Sequence, residues 1–189
     1  MHRLLAALVA VLAVLLGSLT ASPAAAAPVD DYADYQGQTR CQPKAKQGTK
    51  MFARWLVRRH GGGYGAISRR CRIGGASEHK EGRAFDWAVD VRRKADRRRV
   101  NRFLRRVFAT GASGERHALA RRMGIMYVIW DDHIYASYDR FRKRDYLSGA
   151  CRSKRRCSRT LRHRDHVHVS LSRRGGRART SWYVARLAR

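Results

Sequence analysis

Ile125-Met126-Tyr127-Val128-Ile129-Trp130-Asp131-Asp132-His133-Ile134-Tyr135-Ala136-Ser137-Tyr138 is the stretch that decides the fold. Two runs rich in β-branched and aromatic residues flank the polar break Asp131-Asp132-His133, and this pattern predicts a β-hairpin with strands over 125–130 and 134–138. Working upstream, Val100, Phe103, Leu104, Val107 and Phe108 recur at helical spacing between Lys94 and Ala109, with arginines between them. This predicts an amphipathic helix whose charges face water. A second helix is expected over 115–123, stopped by Gly124. Residues 85–91 read as a strand, with Phe85, Trp87 and Val89 on one face and Asp86, Ala88 and Asp90 on the other. A short strand is expected over 65–72. A helix is expected from Thr49, as its cap, to about His60, with Met51, Phe52, Trp55 and Leu56 on one face and Gly61-Gly62-Gly63 ending it.

Downstream, Val167, Val169 and Leu171 alternate with His166, His168 and Ser170, which predicts a last strand with one apolar and one polar face. Gly175-Gly176 then opens a basic tail running through Trp182-Tyr183-Val184. Residues 28–48 read as an irregular arm. The expected architecture is α+β, with helices packed on a small, mainly antiparallel sheet, in one domain over 49–189.

The compartment follows from the first 27 residues and the cysteines. Met1-His2-Arg3, the apolar run from Leu4 to Leu19 and the small residues up to Ala27 have the form of a secretory signal peptide, cut between Ala24 and Ala27. The run is broken by Gly17 and Ser18 and is shorter than a spanning helix requires. No later segment is apolar enough to cross a bilayer, so an exported, soluble, monomeric domain is expected. Cys41, Cys71, Cys151 and Cys157 make an even set, as in an exported chain with two disulfides. Of three possible pairings, Cys151–Cys157 closes a short basic loop, and Cys41–Cys71 ties the N-terminal arm beside residues 77–86.

The whole chain carries a formal charge of +28, and Arg3 is the single charge in the first 27 residues, leaving +27 beyond them. Such a charge favours polyanionic partners. Anionic cell-wall polymers and acidic lipid headgroups are available outside the cell, and nucleic acid is expected to bind only non-specifically. Basic residues occur in every segment, so a solvated surface is the simplest alternative. Aromatics are not interleaved with them as in a single-strand-binding groove.

Two short stretches carry chemistry. Ser77-Glu78-His79-Lys80-Glu81-Gly82-Arg83-Ala84-Phe85-Asp86 places a histidine and a carboxylate seven positions apart, the carboxylate among apolar neighbours. A buried carboxylate needs a partner or a metal. Asp165-His166-Val167-His168 places two histidines on one face of the last strand. His79, Asp86 and His168 together make a three-ligand site with an open position, as catalytic zinc has.

The stretch from Ser77 to Asp86 fits the pattern Ser-x-His-x-x-Gly-x-Ala-x-Asp at each of its fixed positions. In this it resembles the zinc D-Ala-D-Ala carboxypeptidases, a group that includes lysostaphin-type enzymes and the hedgehog signalling domain. It also resembles exported actinobacterial and fungal proteins with Ser-Glu-His-x-x-Gly-Arg-Ala-x-Asp-Trp and Asp-His-Val-His-Val-Ser. The resemblance covers roughly residues 50–182. It implies a hedgehog/DD-peptidase-like fold, zinc held by His79, Asp86 and His168, and a supporting hydrogen bond from Ser77, whose other reading is a loop cap. In the carboxypeptidases the acid three residues before the last ligand is the base, here Asp165; in lysostaphin-like members it is the first histidine of His-x-His, here His166. Strand geometry favours His166, but the analogy favours Asp165, and Asp165 is the base expected. An oxyanion-steadying arginine is implied upstream, with Arg70 the first choice and Arg72 and Arg69 the others.

The function expected is zinc-dependent hydrolysis of a peptide bond in peptidoglycan by a secreted, wall-associated enzyme. Two alternatives stand beside it: a zinc-binding domain of the same fold that hydrolyses nothing, and a secreted cationic protein that binds polyanions without metal.

Overall fold

The computed structural model describes residues 28–189; the expected signal peptide lies outside the described residues. The fold is α+β. Six strands, β1 (Gly63–Tyr64), β2 (Ala84–Ala88), β3 (Ile125–Trp130), β4 (His133–Ala136), β5 (Lys143–Asp145) and β6 (Val167–Leu171), form one antiparallel sheet in the order β1-β2-β6-β3-β4-β5. The helices are α1 (Gln47–His60), α2 (Lys94–Val107), α3 (Ala118–Arg122), α4 (Arg173–Gly176) and α5 (Ser181–Leu187). None of the described helices is long and apolar enough to cross a membrane.

The β3–β4 hairpin forms as its residues predict, with a tighter turn. Asp131 and Asp132 both adopt positive φ, 47° and 63°, the pair of left-handed residues that matches the twist of a two-residue hairpin. His133 consequently belongs to β4, and residues 137–139 leave the strand as a 3-10 turn.

The alternation of β2 sorts the molecule into two faces. Phe85 and Trp87 are fully buried beside Phe52 and Leu56 of α1 and Val100, Phe103 and Val107 of α2. Cross-strand partners share a face: Phe85 lies opposite Val169 and Trp87 opposite Val167. The other face of β2 and β6 brings Asp86 opposite His168. A bulge in β3 between Ile125 and Tyr127 slips its register by one residue, so that Ile125 meets Leu171 while Tyr127 meets Ser170. One extra residue thus serves both faces.

Three expectations are corrected. Residues 65–72 are not a strand; β1 is the short Gly63–Tyr64. Ala66 O accepts from Asp86 N at 2.8 Å, but Ile67 O accepts a histidine ring N–H and Arg69 N reaches His79 O at 3.3 Å, so this backbone holds the loop around residues 77–81 rather than a ladder. Gly65 is tied to this arrangement, since a Cβ there would lie 2.2 Å from Asp86 O. Thr49 does not cap α1, which starts at Gln47; its hydroxyl donates to Gly82 O at 2.9 Å. The basic C-terminal stretch is not a tail but helical, as α4 and α5: α5 buries Trp182 and Tyr183, and Tyr183 Oη donates to Met123 O at 3.1 Å. The arm has no regular structure up to Lys46 and is nevertheless fixed, with Gln42 N and Lys46 N donating to Lys80 O and Gly82 O.

Both disulfides pair as expected, Cys41–Cys71 and Cys151–Cys157. They span 30 and 6 positions, and the entropy removed from the unfolded chain grows with the loop closed. Replacing Cys41 and Cys71 by serine is expected to cost about 3–4 kcal/mol, and replacing Cys151 and Cys157 about 2 kcal/mol, in denaturant unfolding. The reverse order would show that native contacts, not loop closure, set the effect.

His60 ends α1 buried against Trp55, Trp87 and Phe103. Burial first, then Arg106, Arg102 and Arg59, push its pKa down from 6.5 to about 4. On acidification the unfolded chain takes up this proton before the folded one, so stability is lost as pH falls from about 6.5 towards 4. Between pH 7 and pH 5 this group alone costs about 2 kcal/mol. A His60→Phe variant, unfolded in denaturant at both pH values, should lose that part of the slope; a slope equal to wild type rejects the assignment.

Candidate metal centre

The site sits on the sheet face opposite α1 and α2. Register places Asp86 on β2 beside His168 on β6. His79 reaches them from a 3-10 turn over Glu78–Glu81, capped by Ser77, whose Oγ accepts from His79 N at 3.3 Å. Gly82 ends the turn at φ 64° with Lys44 O so close that a Cβ would lie 2.1 Å from it, so only glycine lets the chain turn there into β2. Ser77 is thus a cap that fixes the backbone of His79, and its own N–H donates to Gln38 Oε1.

Three atoms converge: His79 Nε2 and His168 Nδ1 each lie 3.1 Å from Asp86 Oδ1 and 3.2 Å from one another. The hydrogen bonds behind the rings fix their tautomers. His79 Nδ1 faces Ile67 O at 2.9 Å, a carbonyl that only accepts, so Nδ1 carries the proton and Nε2 the lone pair. His168 Nε2 lies 2.8 Å from Ser170 Oγ, whose own hydrogen goes to Glu78 Oε2 at 3.3 Å. Ser170 Oγ therefore accepts from His168 Nε2–H, and Nδ1 presents its lone pair. Glu78 is in turn held by Tyr127 Oη at 2.5 Å and by Arg83, 3.8 Å away.

Three lone pairs thus face one another at 3.1–3.2 Å with no proton of their own between them. A cation is what this arrangement accommodates. Ligands about 2.0–2.2 Å from a tetrahedral ion stand about 3.3–3.6 Å apart, slightly wider than these edges. The rear hydrogen bonds from both rings are the outer support that metal-binding histidines use. These three residues could hold a metal ion on the described geometry. Burial lowers the pKa of His168, which keeps it neutral, as a ligand must be.

Around the cluster runs a cleft of about 530 Å³. His166 stands in it with Nε2 3.7 Å from Asp86 Oδ1. Its Nδ1 meets Asp165 Oδ1 at 2.8 Å, and Thr160 Oγ1 donates to Asp165 Oδ2 at 2.6 Å. Asp165 does not line the cleft and touches the cluster only through His166. Burial would raise its carboxyl, but the bonds from Thr160 and His166 hold its pKa below the ordinary value. Among the arginines expected near the site, Arg69 lines the cleft, whereas Arg70 and Arg72 are exposed outside its lining. One rim of the cleft is Gly74–Ala76, next to Cys71, and the other is Ser148–Ala150, next to Cys151, so each disulfide ties down one lip.

Two residues of the site escaped the sequence reading. Glu78 was legible as the acid between Ser77 and His79, but its place under Ser170 and Tyr127 arises only from the sheet register. His163 packs its ring against His166 and His168, 4.8 and 5.7 Å between centroids. Burial, then His168 and His166, push its pKa down to about 2, so it is an uncharged wall of the site. Its signal was the spacing His163-x-x-His166-x-His168.

No curated protein matches this chain, and no solved structure matches it. Residues 41–154 match the family described as VldE, C-terminal domain. The matched segment holds His79 and Asp86 and ends before Asp165, His166 and His168. It spans more than half of the 189 residues, and the chain belongs to the VldE C-terminal domain family.

Proposed function

We propose that this is a secreted zinc-dependent hydrolase that cleaves a peptide bond in peptidoglycan. The observation carrying the reading is the convergence of the His79, Asp86 and His168 lone pairs beside His166 in an open cleft. Zinc is the ion chosen because two imidazoles and one carboxylate suit it and leave a position for water. When bound it lowers the pKa of a water and polarises a carbonyl. The rest is done by the chain. Asp165 accepts from His166 Nδ1–H and so turns the lone pair of Nε2 toward the cluster. His166 Nε2 takes the proton of the attacking water and returns it to the leaving amine. Arg69, on the cleft wall, is the cation available to the oxyanion.

The two disulfides agree with an oxidising compartment. The substrate class rests on the resemblance of residues 77–86 to the D-Ala-D-Ala carboxypeptidases, and the surface charge suits anionic wall polymers. Incubating the zinc-loaded protein with muropeptides should release a new amine, and chelation should abolish the release. Stoichiometric zinc with no amine from any muropeptide would favour the non-hydrolysing zinc domain instead.

A further inference from the structure

A second pocket lies across the sheet from the metal centre. It measures about 380 Å³ and is lined by Arg59 and His60 at the end of α1 and by Arg102, Arg105 and Arg106 of α2. The three arginines of α2 fall on one helical face, at i, i+3 and i+4. All four guanidinium groups belong to exposed residues, and among the described residues none is paired with a carboxylate. The one acid of α2, Asp96, is taken by Arg99 at 2.5 Å. His60 is 8 % exposed, and its Nε2 is buried without a hydrogen-bond partner. Like charges gathered round an unsatisfied buried nitrogen are unfavourable in isolation. Elsewhere in this arginine-rich surface the acids are used: Asp139 binds Arg142 and Arg144, Asp132 binds Arg162, and Asp90 binds Arg159.

We propose that this pocket binds a terminal, multiply charged phosphate group: a phosphomonoester or a pyrophosphate. Guanidinium forks bind phosphate oxygens in pairs, and their planar donors converge on one group better than on a dispersed charge. The concave shape favours a compact dianion over a stretched polymer backbone. His60 lines the same pocket, so its ring stands where an occupant is felt. The lining residues come from both helices, so occupancy ties the end of α1 to α2. The inference stands apart from the hydrolase reading, because Trp87, against which His60 packs, faces away from Asp86.

The test is titration of the full exported chain with inorganic pyrophosphate at constant ionic strength, read by calorimetry and by the ring nitrogen signals of His60. Wild type should bind one pyrophosphate with the His60 signals shifting in step. The Arg102→Gln, Arg105→Gln, Arg106→Gln triple variant should bind at least about tenfold more weakly. The exposed triple Arg152→Gln, Arg155→Gln, Arg156→Gln removes the same charge elsewhere and should change affinity less than about twofold. His168→Ala should leave it unchanged, which separates this site from the metal centre. A single-stranded oligonucleotide without terminal phosphate supplies the phosphodiester arm. Equal weakening in both triples, or silent His60 signals, overturns the proposal. So does dependence of the oligonucleotide alone on the three arginines.

Discussion

Wild-type protein purified without chelator is expected to carry one zinc per chain, and His168→Ala to carry less than about a tenth of that. The expectation follows from the tautomers. With Ile67 O and Ser170 Oγ each taking a ring proton, His79 Nε2, His168 Nδ1 and Asp86 Oδ1 have nothing but acceptors to offer one another. A lone proton bridges one edge of this triangle; a metal fills all three. Metal binding to the folded state alone also stabilises it, by about 4 kcal/mol when the free ion stands a thousandfold above its dissociation constant. Chelation should therefore lower the unfolding midpoint of wild type and leave that of His168→Ala unmoved. Ser170→Ala probes the outer support. It keeps all three ligands but frees His168 Nε2, and should weaken zinc about 10–100-fold at unchanged stoichiometry. Elemental analysis after dialysis, with competition against a chromophoric chelator, reads both effects. A metal-free wild type that gains nothing from added zinc, or a His168→Ala variant that keeps its metal, sinks the assignment.

The parts of the fold that were legible in sequence are those where local pattern and tertiary role agree. Phe85, Trp87 and Val89 alternate with Asp86, Ala88 and Asp90 because one side of β2 is core and the other is site. Val100, Phe103 and Val107 keep helical spacing because α2 presents one stripe to that core. The failures come where backbone is used non-locally. Residues 65–72 resemble a strand in composition, but Ile67 and Arg69 hydrogen-bond the loop that carries His79. In α5 the charge of the surrounding arginines concealed two core aromatics, and Arg186 lies over the Trp182 ring at 4.0 Å, its stem covering apolar surface. The meeting of Asp86 and His168 was readable because a histidine and an aspartate on neighbouring strands need only the correct pairing to come together. The order of Asp165 and His166 was not readable. It depends on where β6 begins, at Val167, which leaves Asp165 in the preceding loop with its carboxylate turned back onto His166 Nδ1.

That order makes a second large effect predictable. His166→Ala should lower the hydrolytic kcat about 10²–10⁴-fold, the range for loss of a general base, with zinc content unchanged. Asp165→Asn leaves the imidazole in place but substitutes a side chain that can donate to Nδ1, which permits the tautomer with the proton on Nε2. Its loss should be smaller, about 10–100-fold, because part of the population keeps the useful tautomer. If Asp165 acts only through His166, the double variant His166→Ala, Asp165→Asn should be no slower than His166→Ala alone, since groups acting as a unit are not additive. Multiplying losses would mean that Asp165 touches the reacting water itself, as the analogy with the carboxypeptidases implies. The pH profile distinguishes the two independently. A histidine base gives an acid limb that disappears in His166→Ala while the metal remains bound. A carboxylate base leaves that limb in place and lowers only the plateau.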